Sequence, residues 1–215
     1  MSRRTAKPSP VAGEAVSIRE QIVISALQLL DEEGTEAFST RKLGTRVGIQ
    51  AMSLYHHFPD RGAILDAAVD RMISEVVLPN VARIGWQRGL RQLALSYREM
   101  GHRHVLAVPL LAQRCPSSRN MTAFLDTLLG LLLKSGLSQA AAEDWLLIQR
   151  DYVVGSLMAD HAGAYVLSSA KTARSKSETA RFALSAAARE KVFLKGFNAM
   201  LDAIETECAA QSRRT

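Results

Sequence analysis

The chain has 215 residues, a formal net charge of +6, 47% hydrophobic residues and only 6% aromatic residues. This length suits one large domain or a small domain joined to a larger one, and the abundance of Ala and Leu favours helices over sheets. The mild basic excess suits a polyanionic partner, although many proteins without nucleic-acid partners are as basic. No apolar stretch reaches the roughly 20 residues of a membrane span, so a membrane protein is excluded.

The first residues and the cysteines indicate a cytoplasmic protein. Residues 1–16 are polar and basic and lack the apolar run of a signal peptide. We expect a disordered basic tail here, and either a solubilising role or an arm that reaches a DNA groove fits this composition. Cys115 and Cys208 are too few and too distant for a disulfide framework or a zinc site, so reduced thiols are expected.

The first half of the folded part reads as four helices. Ser17 and Glu20 stand in the S-x-x-E spacing of a capping box, and Gly34 is expected to end the helix that they begin. A second, short helix capped by Ser39 or Thr40 runs to Arg46, and Gly48 breaks it. The third and fourth helices are predicted from about Gln50 to His57 and from Arg61, after the cap Asp60, to about Val77.

Further apolar-periodic segments fill the rest of the chain, and no credible strand is found, so the predicted fold is all-α. The arginines at 88, 91 and 98 are expected on a solvated helix face. The predicted segments are Trp86–Gly101, Val105–Gln113, Thr122–Lys134, Ser138 to about Leu167 and about Ala187–Ala209. A loop is predicted over Ser168–Ser185, with or without one short helix in it.

The most informative stretch runs from Phe38 to Leu65 and predicts a helix-turn-helix. Two short helices meet at a tight glycine turn, as is needed for one helix to cross the phosphates while the next enters the major groove. The second of these helices exposes small or hydrogen-bonding side chains, which suit contact with base edges. Several arginines and lysines surround it.

This stretch resembles the tetracycline-repressor (TetR) family of transcriptional regulators. The family's L-Y-x-H-F-x-x-K pattern stands at Leu54–Arg61, with arginine in place of the usual lysine, and weaker similarity extends to Gly85-Trp86 and to Phe193–Phe197. The resemblance implies a three-helix DNA-binding domain over residues 17–61, after the tail of residues 1–16. A larger helical ligand-binding and dimerisation domain over residues 62–215 follows.

The resemblance also implies roles for individual residues of the head. Thr40, Tyr55 and Arg61 are expected to hold phosphates, and Arg41 is expected to reach a base edge. His57 is expected to be structural or to lie near a phosphate. The positions at which the family reads sequence are Gln50, Ala51, Ser53 and His56.

For the larger domain, the resemblance implies a pocket for a small, often apolar effector. Ordinary core packing is the competing interpretation for each apolar candidate. His102 and His104 could bind a metal or an acidic ligand, but with no third ligand at a predictable spacing we expect solvated turn residues and no metal. No residues matching the drug and magnesium ligands of the tetracycline repressor can be placed, and no cofactor is expected. The pocket candidates are Trp86, Met100, His104, Met121, Phe124, Trp145, Gln149, Tyr152 and Met158.

An apolar stripe on the last helix is the expected dimer seam, where Gly196 would allow a partner helix to approach closely. The alternative is that the stripe packs on its own subunit. The stripe consists of Val192, Phe193, Phe197, Met200, Leu201 and Ile204.

The expected function is a homodimeric repressor that binds a palindromic DNA operator and is released by a small molecule. Activation and ligand-independent action stay open within the family. An enzyme is disfavoured because no phosphate loop, metal cluster or nucleophile motif is found. A DNA-packaging protein would carry a denser basic surface and lack a large apolar second domain.

Overall fold

The computed structural model describes residues 16–169 and 185–212, with side chains described for residues 16–162 and 185–211. Apart from their edges, the expected N-terminal tail and the expected loop over Ser168–Ser185 lie outside the described residues.

The described part of the chain is built from helices and contains no strand, which confirms the all-α prediction. In chain order the elements are α1 (Ile18–Ala37), α2 (Thr40–Val47), a 3-10 helix (Ala51–His56), α3 (Arg61–Ile73), α4 (Trp86–Arg103), a 3-10 turn (Val105–Ala107), α5 (Val108–Gln113), α6 (Arg119–Lys134), α7 (Gln139–Ser169) and α8 (Ala186–Ser212).

Polar caps begin the first three α-helices at the positions that the sequence indicates. The side chains of Ser17, Ser39 and Asp60 each accept a hydrogen bond from the backbone N–H three residues later, at 3.2, 3.2 and 2.8 Å. Gly34 interrupts α1 with a non-helical backbone (φ 80°, ψ 176°), and helical structure resumes as far as Ala37. The caps therefore fix where each helix of the head enters the fold.

Several predicted elements differ from the structure. Helix α1 continues past Gly34 to Ala37, the segment predicted over Val105–Gln113 divides into a 3-10 turn and α5, and α6 begins at Arg119 and not at Thr122. The helix expected from Gln50 to His57 is a tighter 3-10 helix over Ala51–His56, and α3 ends at Ile73 and not at Val77. The segment begins where α2 approaches it closely, since a Cβ at Gly44 would lie 3.1 Å from the backbone nitrogen of Ala51.

The helices α1, α2, the 3-10 helix and α3 form a compact head with its own core. Helices α4 to α8 form a larger body, and α1 also packs against the turn at residues 105–107, so the head rests directly on the body. The fully buried side chains of the head include Ile22, Leu30, Leu43, Leu54, Phe58, Ile64 and Met72.

Candidate nucleic-acid interface and ligand cavity

Two glycines shape the turn between α2 and the 3-10 helix. Gly48 has a left-handed backbone (φ 81°), and both Gly48 and Ile49 donate backbone hydrogen bonds to the carbonyl of Gly44 at 2.9 Å. A Cβ at Gly44 would lie 2.8 Å from the Ile49 carbonyl oxygen, so only glycine allows this close approach. The turn at Gly48 can be predicted from the sequence, whereas the need for glycine at position 44 arises only from the packing of α2 against the next helix.

The 3-10 helix packs one face against the core of the head and exposes the other to solvent. Leu54 and Phe58 are almost wholly buried, whereas the intervening Tyr55 and His56 are exposed. Met52 is 72% exposed on the same short helix, a feature that sequence analysis did not single out. Of the other predicted DNA-contacting residues, Arg41, Gln50 and Arg61 are exposed, and Thr40, Ala51, Ser53 and His57 are partly exposed.

The basic residues of α2 fall into two groups. Lys42 forms an ion pair with Glu33, and Arg46 forms one with Glu32, so both cations brace α2 against the end of α1. The hydrogen bond from Arg46 lowers the pKa of Glu32. Arg41 has no ion-pair partner among the described side chains, so its guanidinium is available to another molecule.

Arg61 is held at the start of α3 by Phe38. Its guanidinium donates to the Phe38 carbonyl at 3.4 Å and lies 5.4 Å from the centre of the Phe38 ring. Because the side chain is nevertheless exposed, this arrangement positions a cation beside the 3-10 helix.

The body contains an apolar cavity of about 440 Å³, which is lined mainly by α4, α6 and α7 and has exposed residues at its edge. Tyr97 and Phe124 form one aromatic wall, with ring centroids 5.2 Å apart, and burial raises the pKa of Tyr97 so that its phenol stays neutral. The cavity is lined by Leu90, Leu93, Ala94, Tyr97, Leu111, Ala112, Gln113, Arg114, Cys115, Met121, Phe124, Leu125, Leu128, Gln149, Arg150, Asp151, Val153, Val154, Gly155, Met158 and Phe197.

Four of the nine predicted pocket residues line this cavity, namely Met121, Phe124, Gln149 and Met158. The other five do not line it. Trp86 is the first residue of α4 and is partly buried against the core, and Met100 is fully buried within the core. Trp145 and Tyr152 face α8: the indole N–H donates to Glu207 at 2.8 Å, and the phenol donates to the Phe193 carbonyl at 2.9 Å.

His104 is neither a pocket residue nor a solvated turn residue, because it is buried between the head and the body. Its Nδ1 lies 2.9 Å from Asp31 Oδ2 on α1, and its Nε2 lies 3.2 Å from Glu75 Oε2 just after α3. Burial raises the pKa of Asp31 and outweighs the contact with His104. Burial acts in the same direction on Glu75, but hydrogen bonds from His104 and Arg103 and their charges outweigh it, so the pKa of Glu75 is lowered.

Arg114 joins the cavity to the head. It lines the cavity, and its Nη1 donates to the Gly62 carbonyl at 3.1 Å and to Asp66 Oδ1 at 2.6 Å. Both acceptors lie in the first half of α3, directly after the 3-10 helix. No sequence pattern predicts this contact, because residues 62 and 114 are distant along the chain.

Two family models match this chain. The model of bacterial regulatory proteins of the TetR family matches residues 22–68, and the model of the tetracycline repressor-like C-terminal domain matches residues 78–208. The chain belongs to the TetR family of transcriptional regulators. It therefore combines a helix-turn-helix DNA-binding domain with the family's ligand-binding domain, and the members of this family are DNA-binding regulators rather than enzymes.

Individual relatives agree with this membership. The chain is 32% identical over 151 residues to the class A tetracycline repressor of transposon 1721 from Escherichia coli, an alignment that spans 66% of each chain and thus just under two thirds of that repressor. Its fold matches Streptomyces coelicolor ActR in complex with actinorhodin (TM-score 0.71, 22% identity, 88% of this chain and 97% of that one). It also matches BioQ with its double-stranded DNA operator (TM-score 0.66, 17% identity, 87% and 98%).

The apolar stripe predicted as the dimer seam lies largely inside the subunit. Phe193, Phe197, Leu201 and Ile204 are at most 3% exposed, and the rings of Phe193 and Phe197 lie 5.6 Å apart. A Cβ at Gly196 would lie 2.2 Å from the Tyr152 hydroxyl, so this glycine accommodates Tyr152 of the same chain and not a partner helix. Helical spacing locates an apolar face but does not identify the surface that covers it. Of the stripe's other members, Met200 is partly buried and Val192 is 58% exposed.

A different face of α7 and α8 is apolar and exposed. Leu147, Ile148 and Val192 are 47%, 46% and 58% exposed, and small exposed residues lie near them on the same helices, namely Gly155, Ala159, Ala199 and Ala203. These seven residues together are called the α7–α8 face below.

The remaining predictions concern metals, cysteines and membranes. Among the described residues no group of His, Cys, Asp and Glu side chains could hold a metal ion. Cys115 is exposed at the cavity, Cys208 lies 3.4 Å from the Ser135 hydroxyl, and the two are not joined by a disulfide. No helix in the described ranges is long and apolar enough to cross a membrane.

Proposed function

We propose that this chain is a cytoplasmic repressor that binds an inverted-repeat operator as a homodimer and leaves the DNA when a small, mostly apolar molecule fills the cavity. The observation that carries the proposal is the contact of Arg114, a cavity residue, with the first half of α3. The names of the relatives support it, since one is a tetracycline repressor and another was crystallised with its operator.

On the DNA side, we propose that the exposed residues of α2 and the 3-10 helix contact the operator. Arg41 is the base reader, because its neighbours Lys42 and Arg46 are engaged with α1 whereas its own guanidinium is available. Thr40, Tyr55 and Arg61 hold phosphates, His57 lies beside them, and Gln50, Ala51, Ser53 and His56 face the bases.

On the assembly side, we propose that the α7–α8 face is the dimer interface. Leu147 and Ile148 on α7 and Val192 on α8 are about half exposed, and together with the small residues of the same helices they would allow two helix pairs to pack closely. One helix-turn-helix head makes too few contacts for tight specific binding, so two heads on a two-fold axis are needed to read an inverted repeat.

The test begins with selection of binding sites from random duplex DNA by the full-length protein, followed by competition with single-base variants of the selected site. We expect an inverted repeat. Arg41→Ala should relax the preference at one base pair per half-site by roughly 1–3 kcal/mol. Lys42→Ala is the matched control, since Lys42 is paired with Glu33, and it should leave the preference profile unchanged.

Tyr55→Phe removes a proposed phosphate contact, for comparison with the proposed base contact of Arg41. It should weaken binding to all DNA sequences alike. If Arg41→Ala left the base preference intact, or if selection returned no repeat, the proposed reading of the operator would be wrong.

A further inference from the structure

One side chain of the cavity is polar, buried and without a partner. Gln149 on α7 is 2% exposed, and its Nε2 has no acceptor within hydrogen-bonding distance among the described residues. Buried amide groups in folded proteins are nearly always hydrogen-bonded, because desolvation without a partner is unfavourable. Because Gln149 lines the cavity, a change in its side-chain torsion angles would bring this N–H to a molecule bound there, which would supply the missing acceptor.

The rest of the cavity restricts what that molecule can be. Most of the lining is aliphatic, and the rings of Tyr97 and Phe124 offer an aromatic wall. The charged residues that line the cavity are already neutralised, since Arg150 pairs with Asp151 at 2.8 Å and Arg114 pairs with Asp66 at 2.6 Å. This environment is unfavourable for a charged ligand and favours an uncharged one.

We propose that the ligand of this cavity is an uncharged aromatic ring compound with a carbonyl or hydroxyl oxygen that accepts a hydrogen bond from Gln149 Nε2. The rings pack against Tyr97 and Phe124, and the oxygen determines the orientation of the molecule through Gln149. This inference rests on the proposed ligand-released function and names the chemical class of its ligand.

The experiment compares two probes of nearly the same shape, 9-fluorenone, which has one ring carbonyl, and fluorene, which has none. Binding of each to the full-length protein is measured by equilibrium dialysis, without DNA. The variant Gln149→Met removes the amide while keeping an unbranched side chain of similar length. The matched control is Gln113→Met, the same substitution at an exposed glutamine of the cavity lining.

We expect the wild-type protein and Gln113→Met to prefer fluorenone. Gln149→Met should lower that preference by about 10-fold, the loss expected for one buried hydrogen bond. Gln149→Met should also melt at a higher temperature than the wild-type protein, because a buried unpaired amide is removed. That readout shows that the variant is folded.

Two outcomes would overturn the inference: a ratio of the two affinities that is the same in the wild-type protein and in Gln149→Met, or no binding of fluorenone to the wild-type protein. A protein that shows the Gln149-dependent preference but stays on its operator when loaded would contradict the proposed release mechanism and support the ligand class. The two failures are therefore distinguishable.

Discussion

Replacing Leu147 by glutamate should dissociate the proposed dimer while leaving each subunit folded. Complete burial of a side chain such as Leu, Ile or Val contributes about 1.5–3 kcal/mol. Since Leu147, Ile148 and Val192 are about half exposed in the subunit, each can contribute about 1 kcal/mol more at an interface, or about 6 kcal/mol over both subunits.

Leu147→Glu removes only the share of Leu147, about 1 kcal/mol on each subunit, and adds a carboxylate without a partner at the contact. The combined loss of at least about 4 kcal/mol should weaken dimerisation by about 1,000-fold. Sedimentation equilibrium measures the assembly state, and fluorescence anisotropy measures operator binding, which should fall together with dimerisation. Leu133→Glu, at a 37% exposed leucine on α6, is the control and should stay dimeric.

The buried stripe on α8 should respond in a different way. Phe197 is 0% exposed and packs against Phe193 and Tyr152, so Phe197→Ala should lower the free energy of unfolding by about 3–5 kcal/mol. Urea unfolding measures this loss. A Leu147→Glu protein that stayed dimeric at submicromolar concentration would refute the α7–α8 face as the dimer interface. A Phe197→Ala protein that was stable and monomeric would refute the placement of the α8 stripe in the core of the subunit.

Two further predictions concern the contacts between head and body. In wild-type protein the lowered pKa of Glu75 stabilises the fold above its ordinary value of 4.5, and this contribution disappears as the pH falls through the lower folded-state value. The stability difference between wild type and Glu75→Gln, measured by urea unfolding from pH 7 to pH 3, should therefore narrow below about pH 4.5, and a constant difference would contradict this reasoning. Arg114→Met should keep ligand binding but reduce ligand-induced release of the operator in anisotropy titrations, and unchanged release would show that the contact with α3 does not couple the two sites.

The sequence predicted the head well because its determinants are local. Helix caps act over three residues, and the left-handed turn at Gly48 requires a residue type that can be seen in the sequence. The 3-10 form of the helix at residues 51–56 was not predictable in the same way, since it depends on how closely α2 approaches through Gly44.

The body was predicted less completely because its determinants lie far apart along the chain. Arg98 was expected on a solvated face but is 3% exposed, since Asp160 and the Phe193 ring both contact it. His104 was expected in a solvated turn and is buried by contacts with Asp31 and Glu75. In each case the contacting residue lies more than 25 residues away along the chain, so the contact cannot be predicted from a local sequence pattern.

The contacts at the two ends of α3 are expected to have different effects. The contact of Arg114 is expected to couple the cavity to the head, and that of Glu75 is expected to stabilise the fold. Arg114 binds its first half at Gly62 and Asp66, while the segment after its last turn is held by the contact of Glu75 with His104. At about 1.5 Å per residue, the 13 residues of α3 span about 20 Å. A rotation of about 5° around the Glu75 end would therefore move the Arg114 end by about 2 Å. Because only residues 57–60 separate the 3-10 helix from α3, we expect a change of that size at the cavity wall to shift the proposed DNA-contacting surface.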